Sequence, residues 1–169
     1  MKKGLTRALM LTAVVALAAC TDPNNVGNDV YLSGDPTNGV DGAAGDPRSP
    51  AYFQQTVGDR VLFAVNQSTL SPSAAQTLDL QADWLLQNMD FSAVIEGHAD
   101  EQGTREYNLA LGARRASEVR QYLIQRGIAP NRLKVVSFGK ERPLAICSDE
   151  SCYSQNRRGV TVLSAGLSS

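Results

Sequence analysis

From residue 60 onwards, short apolar runs alternate with apolar residues at helical spacing. Arg60 to Val65 is a mostly apolar run and predicts the first strand. Ser71 followed by Pro72 is typical of a helix start, because serine caps a helix and proline is favoured at its first position. The apolar residues that follow recur at spacings of three and four and predict one apolar helix face: Ala75, Leu78, Ala82, Leu85 and Met89.

A second, longer helix is predicted from Thr104 to Arg126, where Gly127 and then Pro130 end the helical pattern. Three more apolar runs predict the remaining strands: Phe91–Glu96, Leu133–Phe138 and Gly159–Ser164. Strands that alternate with helices in this way predict the α/β class, as a two-layer sandwich with the helices packed on one face of one sheet. No internal repeat and no second domain are indicated.

The first 19 residues differ from the rest, because a basic end leads into an apolar run that is too short to span a bilayer comfortably. Residues 1–19 therefore read as a secretory signal peptide. Leu17 to Cys20 resembles a bacterial lipobox, in which cleavage precedes a cysteine that then carries acyl chains. The alternative is an ordinary A-x-A cleavage site with an incidental cysteine. No other cofactor is expected.

Residues 20–50 are predicted to be the lipidated cysteine and a flexible tether, and residues 51–169 the folded domain. The segment from Thr21 to Pro50 is rich in Asn, Gly, Asp, Pro and Ser and has no sustained apolar period. As a flexible coil it would span roughly 30 Å, and about 100 Å when fully extended. A domain on such a tether could search a layer beside the membrane, although the segment could also serve only as a spacer.

The charge balance argues against a nucleic-acid partner. The formal net charge is −1, and all three basic residues before Cys20 belong to the leader. Without the leader, 13 basic residues face 17 acidic ones, a net charge of −4. A nucleic-acid-binding domain needs a basic surface, which this composition does not offer, although a small basic pocket is compatible with it.

One stretch, from Val94 to Arg115, combines a strand, a polar turn and a helix start. Asp100 lies in the turn, and Asn108 and Arg115 are seven residues apart, so they share one helix face. A carboxylate and a guanidinium aimed at one small space suit a ligand with both charge signs. The alternative from spacing alone is a salt bridge between the turn and the helix.

Other chemically notable residues are fewer. Glu96, His98 and Asp100 alternate, but one histidine without further nitrogen or sulfur ligands is poor support for a metal, and a hydrogen-bonded structural histidine is favoured. Cys147 and Cys152 are an even pair and suggest a disulfide in an oxidising compartment. No nucleophile with a base and an orienting group is found, so the sequence does not predict an enzyme.

The segment GHADEQGTREYN and the later LGARRA closely resemble the peptidoglycan-binding motif of the OmpA C-terminal family, nearest its peptidoglycan-associated lipoprotein branch. The resemblance covers Val61 to Leu163 and includes SFGKERP and NRR further along the chain. It implies a mixed four-stranded sheet in the order βαβαβ…β. It also implies that diaminopimelate contacts Asp100, Arg115, Asn108 and Phe63, with accessory roles for Arg157, Arg158 and His98.

One departure from the family pattern follows Phe63, where Ala64 replaces the usual aspartate. If that aspartate helps to close the pocket, Asn66 or the backbone has to serve instead. Arg157 and Arg158 could touch anionic glycan or peptide, or could form ion pairs on the domain surface.

The resemblance implies an outer-membrane lipoprotein that faces the periplasm of a Gram-negative bacterium and links the membrane to peptidoglycan. Thr21, rather than aspartate, after the lipidated Cys20 favours the outer membrane, although Asp22 follows. The implied partners are membrane lipid, peptidoglycan, TolB and other Tol or OmpA-like envelope proteins, with a role in envelope integrity and cell division. Two alternatives are an OmpA-like lipoprotein outside the Tol–Pal system and a cell-wall hydrolase.

Overall fold

The computed structural model describes residues 45–165. The signal peptide over residues 1–19, the lipidation of Cys20 and most of the tether lie outside the described residues. Four strands form one sheet in the order β1-β4-β2-β3: β1 is Arg60–Leu62, β2 is Phe91–His98, β3 is Leu133–Gly139 and β4 is Arg158–Ala165. β2 and β3 are parallel, and β4 is antiparallel to both of its neighbours. The predicted mixed four-stranded sheet is confirmed.

Two long helices carry most of the helical structure, and each begins where its cap residue predicts. α2, Pro72–Gln87, follows Ser71, whose hydroxyl accepts a hydrogen bond from the Ala74 N–H. α3, Arg105–Gln125, follows Thr104, whose hydroxyl accepts one from the Tyr107 N–H. The remaining helical segments are short: α1 Pro50–Tyr52, a π-helical turn Phe53–Gly58, a 3-10 turn Pro130–Arg132 and α4 Glu150–Asn156. Between residues 45 and 165, no helix is both long and apolar enough to cross a membrane.

The core lies between the sheet and the two long helices. Inward-facing strand residues such as Val61, Ala93 and Ile95 meet the buried side of α2 and α3. The predicted face of α2 is correct at Leu78, Ala82 and Leu85. Met89 is a wrong assignment, since α2 ends at Gln87 and the Met89 side chain is 74% exposed. Trp84 fills the core instead, with its ring centroid 5.0 Å from Phe53 and 5.2 Å from Phe91.

The packed segment begins ahead of the predicted boundary at Ala51. The indole N–H of Trp84 donates a 2.7 Å hydrogen bond to the Pro47 carbonyl, and Ser49 is buried where it caps α1. The composition of this stretch predicts a tether, but an indole N–H buried in the core needs an acceptor, and the Pro47 carbonyl supplies it. The residues from 47 onwards therefore belong to the domain rather than to the tether.

Two glycines allow α3 to lie directly against β2. A Cβ atom on Gly97 would stand 1.8 Å from the Gly112 carbonyl oxygen, and one on Gly112 would stand 2.4 Å from the Ser137 hydroxyl. No side chain can occupy either place without moving the helix away from the sheet. This close approach brings Arg115, one helical turn after Gly112, to the end of β2.

Candidate functional site

The turn that follows β2 is held from two sides. The Ala99 N–H donates to the Gly139 carbonyl at 2.8 Å, and the Lys140 ammonium donates to the Gly103 carbonyl at 2.7 Å. From the helix side, the Asn108 amide donates to the Gln102 carbonyl at 2.7 Å. The polar turn that carries Asp100 is therefore fixed by β3 and by the first turns of α3.

Arg115 lies completely inside the protein, with 0% of its surface exposed. Its guanidinium donates to three backbone carbonyls: Gln67 at 2.8 Å, His98 at 2.8 Å and Ala64 at 3.1 Å. The guanidinium carbon also lies 5.3 Å from the centre of the buried Phe63 ring. Arg115 thus joins the end of β2 to the loop between β1 and α2.

These bonds explain one difference from the sequence expectations in that loop and decide between two alternatives left open there. β1 ends at Leu62 rather than at Val65, and the Ala64 carbonyl turns towards Arg115. Asn66 takes a left-handed backbone conformation, with φ of 56°, and accepts a long contact from the Tyr107 hydroxyl. The backbone of Ala64, rather than a side chain at that position, holds the arginine where the family pattern has aspartate.

The positive charge of Arg115 has no carboxylate in direct contact, because no salt bridge joins it to any residue in the described part of the chain. Burial lowers the pKa of Arg115 to about 10, and the nearby Asp100 carboxylate acts in the opposite direction. The guanidinium is therefore still charged at neutral pH. Three of its five N–H groups account for the backbone bonds. An anionic group brought to this place would meet a buried cation that no carboxylate contacts directly.

Asp100 does not form the salt bridge with Arg115 that spacing alone offers as the alternative. Its exposed fraction is 7%, and its carboxylate accepts a 3.2 Å hydrogen bond from Arg157. The other carboxylate oxygen accepts from the Gln102 N–H at 3.3 Å. The close approach of α3 directs Arg115 to the backbone carbonyls, and the Asp100 carboxylate pairs with Arg157 instead. Asp100 and Arg115 are brought together only as neighbouring charges.

Arg157 completes this set and is 4% exposed. It donates to the Phe63 carbonyl at 3.2 Å, to Asp100, and through both terminal nitrogens to the carboxylate of Glu150. The hydrogen bonds to Glu150 are the main cause that raises the pKa of Arg157. Glu150 is a participant that the sequence analysis missed. Asp149 and Glu150 at a helix start were the available signal, since aspartate caps α4 through the Ser151 N–H.

Arg158 is not part of this set: it is the first residue of β4, whereas Arg157 lies between α4 and β4. It donates to the Arg142 carbonyl at 3.1 Å, and burial lowers its pKa. Of the two arginines with a predicted accessory role, only Arg157 contacts Asp100. Arg158 acts on His98, whose pKa burial lowers to about 4, with Arg158 and Arg142 acting in the same direction.

His98 is buried and stacks on Phe138, with ring centroids 5.5 Å apart. The predicted hydrogen-bonded histidine is wrong, because neither ring nitrogen has a hydrogen-bond partner in the described residues. Glu96 approaches to 3.4 Å, but a histidine with so low a pKa is neutral and forms no ion pair. The contribution of His98 to the site is its backbone carbonyl, which accepts from Arg115.

Asn108 is 1% exposed, and its carbonyl oxygen is a buried acceptor without a partner among residues 45–165. Its amide nitrogen is fixed by the bond to Gln102, so the oxygen points away from that bond. A buried acceptor that lacks a donor costs free energy, of the order of 1–3 kcal/mol. Asn108 therefore offers an acceptor beside the turn of Asp100, as expected from the shared helix face.

Cys147 and Cys152 are joined in a disulfide, with their Cα atoms 5.7 Å apart, which confirms the predicted pairing. The bond lies at the start of α4. In the described residues, the one cluster with metal-ligating side chains is Cys147, Asp149 and Cys152. Its two sulfur atoms are bonded to each other, so they are not available as thiolate ligands. Asp100, for its part, turns to Arg157 rather than to Glu96 and His98.

Asn156, the first residue of the NRR segment, connects this region to the turn. Its side chain is fully buried, accepts from the N–H groups of Leu144 and Ala145, and donates to the Glu101 carboxylate at 2.6 Å. In the sequence, Asn156 is visible only as the first residue of the NRR motif. Asn156 thus connects the segment between β3 and α4 with Glu101, the residue next to Asp100.

Comparisons with known proteins agree on one relationship. The model of the OmpA family matches residues 62–157. A peptidoglycan-associated lipoprotein of Mesorhizobium japonicum is 48% identical over 157 residues, which cover 92% of this chain and 90% of that protein. One from Rhizobium meliloti is 47% identical over 155 residues, covering 92% and 85%.

Solved structures show the same fold. The peptidoglycan-associated lipoprotein of Burkholderia pseudomallei has a TM-score of 0.64 and 35% identity, and the match covers 72% of this chain and 98% of that one. The C-terminal domain of Helicobacter pylori MotB has a TM-score of 0.60 at 22% identity, with 64% and 86% covered, a likeness of fold alone. The region matched by the OmpA family model, residues 62–157, contains the residues of the described site.

Proposed function

This chain belongs to the OmpA family, and from that premise we propose that it is an outer-membrane lipoprotein that binds peptidoglycan non-covalently through diaminopimelate. Family membership makes it a non-enzymatic structural protein, so the hydrolase alternative is set aside. The observation that carries the proposal is the buried cation Arg115, which has no carboxylate partner in the described residues, beside Asp100.

The side chain of diaminopimelate ends in a carbon with both a carboxylate and an ammonium group. In the proposed complex, the carboxylate binds at the arginine side of the site, which is formed by Arg115 and Arg157. A guanidinium can donate two parallel hydrogen bonds to a carboxylate. The ammonium meets Asp100, with the unpartnered Asn108 oxygen as a further acceptor. Each ligand charge would then face a fixed opposite charge in a nearly water-free place.

The anchor proposed for this domain is the lipidated Cys20, with its acyl chains in the inner leaflet of the outer membrane and the domain facing the periplasm. Each buried CH₂ group contributes about 0.8 kcal/mol to such an anchor. Replacing Cys20 by serine should release the protein from outer-membrane fractions after the peptidoglycan is digested. Retention of the variant in those fractions would contradict the lipid anchor.

We further propose membership of the Tol–Pal system, with TolB as protein partner and a role in envelope integrity and cell division. The support is the similarity to peptidoglycan-associated lipoproteins over most of the chain. A pull-down with TolB distinguishes this from an OmpA-like lipoprotein outside the system, since only a Tol–Pal member should retain TolB.

Co-sedimentation of the full-length protein in detergent with purified peptidoglycan tests the ligand. Diaminopimelate-type peptidoglycan should bring the protein down, whereas lysine-type peptidoglycan, which lacks the side-chain carboxylate, should bring down much less. Equal binding to both types would contradict recognition of diaminopimelate.

A further inference from the structure

Glu150 stands between the arginine side of the site and the solvent. Its side chain is 66% exposed, whereas the Arg157 side chain that it contacts is only 5% exposed. The Glu150 carboxylate binds both terminal nitrogens of Arg157, in the fork geometry that a ligand carboxylate would use. The place where Arg157 could receive an anionic ligand group is thus occupied by a carboxylate of the chain itself.

Two carboxylates share one guanidinium at this point. The same terminal nitrogen of Arg157 lies 3.2 Å from Asp100 and 3.2 Å from Glu150. Together with Arg115, the set contains two cations and two anions, so its formal charge is zero. Without the charge of Glu150, the same place would carry a net positive charge.

The backbone of Glu150 is not free to move away from Arg157. The preceding residue, Asp149, caps α4 through the Ser151 N–H at 2.9 Å. Cys152, two residues further along, is bonded to Cys147. A cap and a disulfide on either side of Glu150 hold the start of α4 in place, so the carboxylate is a built-in occupant rather than a passing surface contact.

We propose that Glu150 is a specificity-determining residue, a resident carboxylate that competes with the ligand carboxylate for Arg157 and keeps the site electrically neutral. This inference rests on the proposed function. A neutral site accepts a zwitterionic side-chain end, and it also accepts a plain ammonium group. Glu150 therefore lowers the discrimination between diaminopimelate and lysine that the two arginines would otherwise give.

The experiment replaces the carboxylate by an amide of the same shape, Glu150→Gln, in the full-length protein in detergent. The probes are soluble muropeptides with diaminopimelate or lysine at the third position of the stem, and affinity is measured by calorimetry. Diaminopimelate binding should strengthen and lysine binding should weaken. Because the pair is partly exposed, the ratio of the two affinities should rise about two- to fivefold. The rise should shrink at high salt.

Asp79→Asn is the matched control, since Asp79 also pairs with an arginine, Arg126, at 3.0 Å, near the other end of α3. It removes the same charge and one ion pair and should leave the ratio unchanged. Weaker binding of both muropeptides in Glu150→Gln would mean that Glu150 only holds Arg157 in position, and this result would overturn the inference. So would a ratio that stays constant or falls.

The two proposals fail in different ways. If the unchanged protein does not bind the diaminopimelate muropeptide, the proposed function is wrong. If it binds, and only the response of the ratio to Glu150→Gln is missing, the function stands and the role of Glu150 is wrong.

Discussion

Arg115 and Arg157 lie beside the same aspartate, and both are almost completely excluded from water, but their surroundings differ in kind. Arg115 contacts three backbone carbonyls, and Arg157 contacts two carboxylates and one carbonyl. A cation held by dipoles keeps its net charge available and is bound to the fold. A cation held by carboxylates has its charge already compensated, and another carboxylate can take the place of one of them. Arg115 therefore both holds the fold together and offers a charge to a ligand, whereas the charge that Arg157 offers depends on the carboxylates around it.

The largest effect is expected from removing the arginine that is held by carbonyls. Arg115→Ala would strand three carbonyls that link β2 to the loop after β1, at about 1–3 kcal/mol for each group that water cannot reach. The free energy of unfolding should fall by at least about 3 kcal/mol, measured by urea denaturation. A loss below about 1 kcal/mol would place Arg115 among ordinary surface arginines and remove the contrast.

The Arg115→Lys variant sharpens the same point. An ammonium keeps the charge but cannot reach three carbonyls in three directions. The stability of Arg115→Lys should therefore lie between that of the wild type and that of Arg115→Ala. If charge alone mattered, the lysine variant would match the wild type.

The next effect concerns Asp100, which faces both arginines. Asp100→Asn should lower affinity for diaminopimelate-type peptidoglycan at least about 30-fold, because a desolvated ammonium would lose its counter-charge, at a cost of about 2–5 kcal/mol. Stability should fall by less than in Arg115→Ala, because the amide oxygen can still accept from Arg157, which also retains Glu150. Measuring co-sedimentation and melting temperature on the same preparation separates these results. Binding within threefold of wild type, in folded protein, would exclude Asp100 from the site.

Acid should destabilise the folded protein through His98, whose backbone carbonyl accepts a hydrogen bond from Arg115. The pKa of His98 is lowered to about 4 in the folded protein. Between pH 6.5 and 4 the unfolded chain binds a proton at this histidine and the folded chain does not. The free energy of unfolding therefore falls as the pH falls through that window. The expected loss is about 2–3 kcal/mol.

The measurement compares the unfolding free energy of wild type and His98→Gln at several pH values between 7 and 4. Carboxylates titrate in both proteins, so only the difference between the two reports on His98. A difference that is independent of pH would show that the histidine titrates normally.

A smaller effect is expected on the Arg157 side, from the disulfide that precedes Arg157. Cys147→Ser with Cys152→Ser should lower stability by about 2 kcal/mol, because the bond closes a short loop. Thiol labelling of denatured, unreduced periplasmic protein checks the premise and should find neither cysteine reactive. Two reactive thiols would show that the bond does not form there.

The sequence predicts the strands and long helices well because these depend on local patterns. Ser71, Thr104 and Gly127 mark helix ends at their positions in the structure. The burial of Arg115 was also available from spacing. Leu111 and Val119 lie four residues before and after it, and both are buried, so Arg115 stands in the apolar stripe of α3. A charged side chain in an apolar stripe is nevertheless normally expected at the surface, because burying an unpaired charge is costly.

The contacts of Arg157 could not be predicted in this way, because they join segments that are distant in sequence. About half of the residues from Leu144 to Asn156 are polar, and they show no sustained helical period. Asp149 marks the start of α4, but no local pattern indicates that Glu150 faces Arg157. The start of the domain at Pro47 has a similar explanation. Proline and glycine near it indicate a tether, and only the need of Trp84 for an acceptor draws it into the fold.

The order of the strands has a consequence for biogenesis. β4 is made last, yet it lies in the middle of the sheet, between β1 and β2. As the chain emerges from its amino end, β1 has no neighbouring strand until β4 emerges, and Arg157, which directly precedes β4, arrives with it. A fragment that stops before this point can neither close its sheet nor assemble the arginine side of the site. The step that completes the sheet is thus also the step that brings Arg157 to Asp100.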